Sequence, residues 1–307
     1  MSMSNTLKKI LIPVDVDKPA ESLLLLNYAG QFAAAFSAEL LLLHPSNTAA
    51  LTFTQQTRRI QLLRAMGERV LGRVPKFRDY VPFECVVRPG NLHDCIKDVV
   101  QNASVDLVLM QADSLPDPDK AAHADHAAQV MEQVGCPLMV VPSALAYKKI
   151  KHLVFATDFT DRDPKVLAQI NEFSKQADAL LTLVQVYSKA ARAQLSSMKA
   201  AIHEVEEQLK GRNVRFKLLE EEDMLEGIGD FAEREDADML VLATRDSYLM
   251  QRLFSKAYVK TMAYHTRIPL LTFRQLKKKP CSGCCTNCMK RSAHHPEIKF
   301  EEAGINI

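Results

Sequence analysis

The chain has 307 residues, of which 47% are apolar and 25% are charged, and this composition is that of an ordinary globular protein. The length is sufficient for about two domains, each with a sizeable core. No apolar run approaches the roughly 20 residues that cross a bilayer, and the apolar run after the two N-terminal lysines is followed by no small-residue cleavage site. We therefore expect neither a membrane-spanning segment nor a signal peptide.

The net charge of +2 is distributed unevenly along the chain. From Arg274 onward there are seven basic and three acidic residues, a net of +4, so the preceding body has 32 basic and 34 acidic residues, a net of −2. This balance gives little reason to expect nucleic-acid binding. Three single cysteines, Cys85, Cys95 and Cys136, lie in apolar surroundings, which is typical of reduced, buried thiols in a cytoplasmic protein.

The first half of the chain alternates apolar runs with helical patterns. Runs such as "ELLLLH" are continuously apolar, which is typical of parallel strands that are covered on both faces. Asn91 is a suitable N-cap for the third helix. Strands separated by helices of this length predict a doubly wound parallel sheet. The predicted strands are residues 8–15, 39–44, 82–87, 105–111 and 136–142, and the predicted helices are residues 20–36, 51–71, 90–103 and 121–133.

The second half repeats this series. "KHLVFATDF" repeats the first strand, so that Asp158 lies 143 residues after Asp15, and "ADMLVLATR" repeats the fourth strand, so that Asp238 lies 132 residues after Asp106. The number of residues between equivalent positions falls once, from 143 to 132, and then stays constant, which indicates a duplicated fold with one shortened loop. The predicted division is a first domain at residues 1–146, a second domain at 147–276 and a basic, cysteine-rich tail at 277–307.

The ordered series of motifs resembles the universal stress protein family over about residues 7 to 275. In the first half the resemblance lies in "IPVD", "LLLH", "RPGNLHDCIKDVVQNASVDLVLM" and "CPLMVVP", and in the second half in "HLVFATDF" and "EADMLVLATRDSYLMQRLFSKAYVKTMAYHTRIPLLTF". It implies two tandem five-stranded α/β domains with strand order 3-2-1-4-5. It also implies that the fifth strands, 137–142 and 268–273, pair within one molecule as an internal pseudo-dimer. Further association as a homodimer stays open.

Some members of this family bind ATP through a loop after the fourth strand with the pattern Gly-x2-Gly-x9-Gly-Ser/Thr, where glycine lets backbone N–H groups face the phosphates. This chain has no glycine in either loop, and acidic residues stand where phosphates would lie. We therefore expect no tight ATP binding in the first half and keep a degenerate site in the second half as an alternative. The aligned positions are Gln111, Ser114, Ala124 and Asp125 in the first half and Ala243, Asp246, Lys256 and Ala257 in the second.

The crevice at the carboxyl ends of strands one and four follows from the topology and not from the glycine motif. Asp15 and Asp158 match the acidic residue that the family places beside the nucleotide, and the guanidinium of Arg245 could hold a carboxylate or phosphate of a small ligand. The alternative interpretation is that these are solvated strand-end residues. The candidate residues of this vestigial nucleotide crevice are Asp15, Asp158, Thr244, Arg245 and Lys256, with His44, Gln111, Asp113 and Gln185 as further linings.

No Ser-His-Asp order, HExxH or Walker pattern occurs, so an enzyme is not expected. The stretch "DPDKAAHADH" places His123 and His126 on one helical face near acidic residues. A metal site is one interpretation of this stretch, and an exposed polar loop followed by a helix start is the one that we favour.

Four of the seven cysteines lie in "CSGCCTNC", namely Cys281, Cys284, Cys285 and Cys288. Each CxxC pair has zinc-knuckle spacing, but the pairs adjoin, whereas the usual zinc module separates them by a dozen or more residues. Zinc or another soft metal is one interpretation. Reversible disulfides are the second, because neighbouring lysines lower the pKa of thiols, and incidental cysteines in a tail are the third.

Taken together, these patterns predict a non-enzymatic cytoplasmic stress-response protein with a regulatory or scaffold role. It would have an unidentified protein partner, no certain cofactor, and a tail that responds to metal or oxidant. The alternatives are a nucleotide-binding member that uses its second domain, and a metal-handling protein whose body serves as support.

Overall fold

The computed structural model describes residues 6–72, 80–111, 126–142, 145–157, 164–209, 213–244 and 268–274. The cysteine tail therefore lies outside the described residues. So do several residues singled out in the sequence, which are Asp113, Ser114, His123, Ala124, Asp125, Asp158, Arg245, Asp246, Lys256 and Ala257. No helix in the described ranges is long and apolar enough to cross a membrane.

The elements of the first half begin and end within a few residues of their predicted positions. Asn91 is the N-cap of the third helix, as predicted, because its side-chain oxygen accepts a hydrogen bond of 2.9 Å from the amide of Asp94. Thr52 and Gln55 form a capping box at the start of the second helix. The elements are β1 (Lys9–Pro13), α1 (Pro19–Phe36), β2 (Glu39–Pro45), α2 (Phe53–Leu71), β3 (Phe83–Arg88), α3 (Leu92–Asn102), β4 (Leu107–Gln111), α4 (His126–Gln133) and β5 (Leu138–Val141).

The second half follows the same order, with a 3-10 turn at Lys189–Gln194 before its second helix. Its elements are β6 (His152–Ala156), α5 (Pro164–Ala177), β7 (Leu180–Tyr187), α6 (Leu195–Gln208), β8 (Val214–Glu220), α7 (Met224–Arg234), β9 (Met239–Thr244) and β10 (Leu270–Arg274).

All described strands form one ten-stranded sheet, in the order β3-β2-β1-β4-β5-β10-β9-β6-β7-β8. Each half therefore has the predicted order 3-2-1-4-5, with parallel neighbours. The halves join where β5 and β10 pair antiparallel, with Met139 opposite Leu271. The predicted pairing of the two fifth strands within one molecule is confirmed.

Two apolar layers cover the sheet. Helices α1, α2, α5 and α6 pack on one face, and α3, α4 and α7 pack on the other. The continuous apolar runs are buried on both faces, as expected for covered parallel strands. Within α1, Leu24 is 51% exposed, whereas Leu25 and Leu26 are buried. In a run of four leucines the sequence does not specify which ones face the sheet.

An aromatic contact joins the halves on the α1 side of the sheet. The ring of Phe173 in α5 lies 5.0 Å from Phe36 and 6.4 Å from Phe32, both in α1. The side chain of Gln176 donates to the carbonyl of Phe36 and bonds both backbone groups of Leu7. The first helices of the two halves are therefore locked together by both packing and hydrogen bonds.

The duplication is visible in single hydrogen bonds. Asp106 precedes β4, and its Oδ2 accepts the amides of Lys8 and Lys9, both at 2.9 Å. Asp238 precedes β9 in the second half, and its Oδ2 accepts the equivalent amides of Lys151 and His152, at 2.8 and 3.0 Å. Each aspartate ties the start of the fourth strand of its half to the start of the first.

Candidate functional site

In the first half the carboxyl ends of β1 and β2 place His44 at the centre of a bonded polar cluster. His44 is 1% exposed. Its Nδ1 lies 3.0 Å from the carbonyl oxygen of Val14, and its Nε2 lies 2.6 Å from a guanidinium nitrogen of Arg59 in α2. The same Arg59 nitrogen donates to a carboxylate oxygen of Asp17 at 3.0 Å. A chain of contacts therefore runs from Asp17 through Arg59 and His44 to the backbone of Val14, directly after β1.

These contacts indicate which tautomer of His44 is present. A guanidinium can only donate, so Nε2 accepts from Arg59 and Nδ1 carries the proton, which is donated to the Val14 carbonyl. The Val16 amide also faces Nδ1, but at the longer distance of 3.4 Å. Burial lowers the pKa of His44, and the Arg59 charge lowers it further, although the Val14 carbonyl and the acidic residues Asp15 and Asp17 oppose this. The neutral form of the imidazole is favoured, because a protonated ring would be repelled by the positive charge of the neighbouring guanidinium.

Asp15, the first candidate of the crevice, is half-buried at the end of β1 and shapes the following loop. Its Oδ1 accepts the amide of Asp17 at 3.0 Å. Its backbone is held by Ser22 in α1. The Ser22 hydroxyl donates to the Asp15 carbonyl at 2.9 Å and accepts the Asp15 amide at 3.1 Å. The carboxylate therefore stabilises the turn between β1 and α1.

Gln111, at the end of β4, lines a small cavity between the sheet and α1. The cavity has about 10 Å³ of accessible volume, which is room for about one water molecule. Its walls are mainly apolar, and a segment that follows β5 closes one side. The other lining residues are Leu24, Leu25, Tyr28, Val141, Pro142 and Leu145.

The second half places Gln185 where the first half has His44. The amide of Val14 donates to Leu43 at 2.8 Å, and the amide of Thr157 donates to Val184 at 3.0 Å, so the next residues, His44 and Gln185, are equivalent. Gln185 is 6% exposed, and its Oε1 has no hydrogen-bond partner in the described part of the chain. A buried acceptor without a donor is costly, so this position differs chemically from its counterpart.

The remaining candidates of the second half are only partly described. Thr244 ends β9 and lies in register with Arg274 of β10. Asp158, Arg245 and Lys256 lie outside the described residues, so their predicted grouping with Thr244 stays a prediction.

The sequence places His123 and His126 on one helical face, where a metal site is the less favoured of two interpretations. In the structure the Nδ1 of His126, the first residue of α4, lies 2.9 Å from the Nε2 of His93 in α3. His123 lies outside the described ranges. Sequence reasoning missed His93 because it lies 33 residues from its partner and belongs to no local motif. It missed Arg59 for the same reason.

The three cysteines of the body carry no disulfide. Cys95 is buried, as predicted, but Cys85 and Cys136 are half-buried. Burial raises the pKa of all three thiols, that of Cys136 to about 12. These thiols are therefore protonated and poorly nucleophilic at neutral pH.

The chain matches known proteins over almost all of its described length. A model of the universal stress protein family matches residues 6–142 and 149–274. A universal stress protein of Archaeoglobus fulgidus is 13% identical, with a TM-score of 0.58 over 90% of this chain and 99% of that one. A functionally unknown protein of Pseudomonas aeruginosa is 17% identical, with a TM-score of 0.58 over 88% of this chain and 93% of that one.

A similar arrangement occurs in the cytoplasmic domain of a prokaryotic cation chloride cotransporter, which is 10% identical, with a TM-score of 0.52 over 86% of this chain and 94% of that one. At these identities the likeness shows the fold alone. No curated protein matches the chain by sequence. Both halves match the family model, and each has the strand order that the motifs implied, so the chain belongs to the universal stress protein family as a tandem, two-domain member.

Proposed function

We propose that this chain is a cytoplasmic stress-response protein that acts without an enzymatic step, as a rigid two-domain scaffold whose tail senses metal or oxidant. The observation that carries the scaffold role is the internal pairing of polar groups at the strand ends of the first half. Asp17, Arg59 and His44 bond to one another, and the Asp15 carboxylate bonds its own loop. Side chains that bond one another in this way hold the strand ends and the loop after β1 in one arrangement, which suits a rigid scaffold.

The same pairing argues against a nucleotide in the first half. The cavity beside Gln111 has room for about one water molecule and cannot itself hold a nucleotide. The loop after β4 also lacks the glycines that would let the backbone wrap phosphates. A role that depends on surfaces and on the tail suits these residues better than a role in nucleotide binding.

The proposed sensor is the set of tail cysteines Cys281, Cys284, Cys285 and Cys288. Support comes from the contrast with the body, where burial raises the pKa of Cys85, Cys95 and Cys136 and keeps them as thiols. The tail cysteines stand among lysines and an arginine, which favour the thiolate that binds metal or reacts with oxidant.

The test compares two full-length variants that are purified without a histidine tag. One carries serine at the four tail cysteines, and the matched control carries serine at Cys85, Cys95 and Cys136. Elemental analysis gives bound metal, and thiol counting after hydrogen peroxide gives oxidant response. We expect both signals to disappear only in the tail variant. If the tail variant retains both the metal and the oxidant response of the parent, the sensor proposal is wrong.

Metal content also separates the metal-handling alternative from the sensor. Metal that is bound in several equivalents and released to a chelator without change in oxidant response would favour a protein that stores or transfers metal. A single equivalent whose loss exposes the thiols to oxidant would favour the sensor.

A second candidate function is nucleotide binding in the second half, and it is favoured by the Oε1 of Gln185, which has no hydrogen-bond partner among the described residues. An acceptor buried at the carboxyl end of β7 would be satisfied by a donor on a ligand such as an amino or hydroxyl group. Isothermal titration with Mg·ATP tests this function, using Asp158→Ala with Lys256→Ala against the matched first-half variant Asp15→Ala. Binding that is lost only in the second-half variant would establish it, and an absence of heat in the parent would exclude tight binding.

A further inference from the structure

We propose that His93 and His126 form a binding site for a late divalent transition ion, such as Ni²⁺, between α3 and α4. The Nε2 of His93 and the Nδ1 of His126 lie 2.9 Å apart, with ring centroids 4.9 Å apart and planes tilted by 36°. One proton is shared between these nitrogens, because a hydrogen bond needs one donor and one acceptor. In the proposed site the ion bonds both nitrogens, and the proton that one of them carried moves to the other nitrogen of the same imidazole.

The separation of the two nitrogens suits an ion with square-planar or octahedral preference. Two ligands at about 2.0–2.1 Å from an ion, at right angles, are about 2.9 Å apart, and a tetrahedral angle would place them about 3.3 Å apart. Little change in separation is therefore needed for Ni²⁺ or Cu²⁺, and water molecules can complete the coordination because both imidazoles are half-exposed. Imidazole is a preferred ligand of these ions.

The backbones that carry the two rings are held by packing. His93 lies in the first turn of α3, which is fixed by the Asn91 N-cap and by the buried Ile96. His126 begins α4, whose next turn buries Val130. Ligands on packed helices lose little conformational freedom on binding. The N-terminal ends of helices disfavour cations, and the carboxylate of Asp94, next to His93 in the sequence, offsets this effect for α3.

The proposed site uses none of the tail cysteines. Its test uses the full chain without a histidine tag and with serine at Cys281, Cys284, Cys285 and Cys288, so that thiolates do not compete. Ni²⁺ is titrated calorimetrically into this parent, into His93→Gln and His126→Gln, and into His203→Gln as the matched control. His203 is exposed and contacts Glu206 at 3.5 Å, so its loss should not change the proposed site.

The expected result is that each of the two single variants binds one equivalent of Ni²⁺ fewer than the parent, whereas the control binds the same number. Ni²⁺ should also raise the melting temperature of the parent and of the control more than that of either variant. Melting temperatures measured without metal identify a variant that does not fold. If His93→Gln does not fold, His93→Asn replaces it. Unchanged stoichiometry in His93→Gln and His126→Gln, or loss in only one of them, would overturn the proposal.

Discussion

Asp106 and Asp238 occupy equivalent positions in the two halves but differ in burial, so their contributions to stability can be compared within one chain. Asp106 and Asp238 each accept two backbone amides at 2.8–3.0 Å, but Asp106 is exposed, whereas Asp238 is 8% exposed. Asp238 also pairs with the Lys148 ammonium at 2.9 Å. We predict that Asp238→Ala destabilises the protein more than Asp106→Ala does.

The magnitude follows from what each substitution leaves behind. A hydrogen bond to a charged group contributes about 1.5–3 kcal/mol, and a buried donor that loses its partner costs about 1–3 kcal/mol. Alanine at Asp238 leaves the amides of Lys151 and His152 without their acceptor, so we expect a loss of about 3 kcal/mol. At Asp106 water can replace the carboxylate, and the loss should be about 1 kcal/mol.

The pKa of Asp238 adds a pH dependence to this prediction. Burial raises the pKa, but the Lys148 ammonium and the two amides outweigh burial and hold the pKa below its usual range. A depressed pKa stabilises the folded state above the pKa of the unfolded carboxyl, about 3.9, and this contribution disappears as the pH falls through the folded pKa. The difference between Asp238→Ala and the parent should therefore shrink below about pH 4.

The assay is equilibrium urea unfolding followed by far-UV circular dichroism at pH 7 and at a series of acidic pH values. The free energy of unfolding is compared for the parent, Asp238→Ala and Asp106→Ala under identical conditions. Equal losses in the two variants would refute the reasoning, because it assigns the difference to burial. A loss for Asp238→Ala that stays constant into acid would refute the assigned pKa direction.

Three further predictions concern packing and thiol chemistry. In Gly67→Ala the new Cβ would lie 2.6 Å from a ring carbon of Phe83, so we expect a loss of about 1–3 kcal/mol in urea unfolding, whereas the control Gly135→Ala meets no atom within 4 Å and should be near neutral. Equal effects would contradict this steric account. Phe173→Ala removes the aromatic contact between the halves and should cost about 3–5 kcal/mol, and a loss below about 1 kcal/mol would show that the contact contributes little. The Cys136 thiol, with a pKa of about 12, should react far more slowly with maleimide at pH 7.5 than free cysteine does, and rapid modification mapped to it by mass spectrometry would contradict the assigned burial.

The sequence was sufficient to predict the fold because its signals are local and repeated. Continuous apolar runs mark the covered strands, and the fixed offset between Asp106 and Asp238 marks the duplication. The N-cap at Asn91 depends on residues within one turn, so it was also predictable. Contacts between helices and strands that are distant in the sequence leave no such local pattern in it.

The candidate site was less predictable for this reason. His44 could be placed at a strand end, but its bond to Arg59 depends on how α2 docks on the sheet, which 15 residues of separation do not determine. The partner of His126 proved to be His93, because α3 and α4 pack side by side. A sequence pattern gives the face of a helix and not the helix that will lie against it.

The antiparallel join between β5 and β10 has a consequence for the two crevices. Because the strands of one half run opposite to those of the other, their carboxyl ends point to opposite sides of the molecule. In a dimer of identical chains every mutation changes both positions at once, but fusion in one chain lets each position vary alone, as the difference between His44 and Gln185 illustrates.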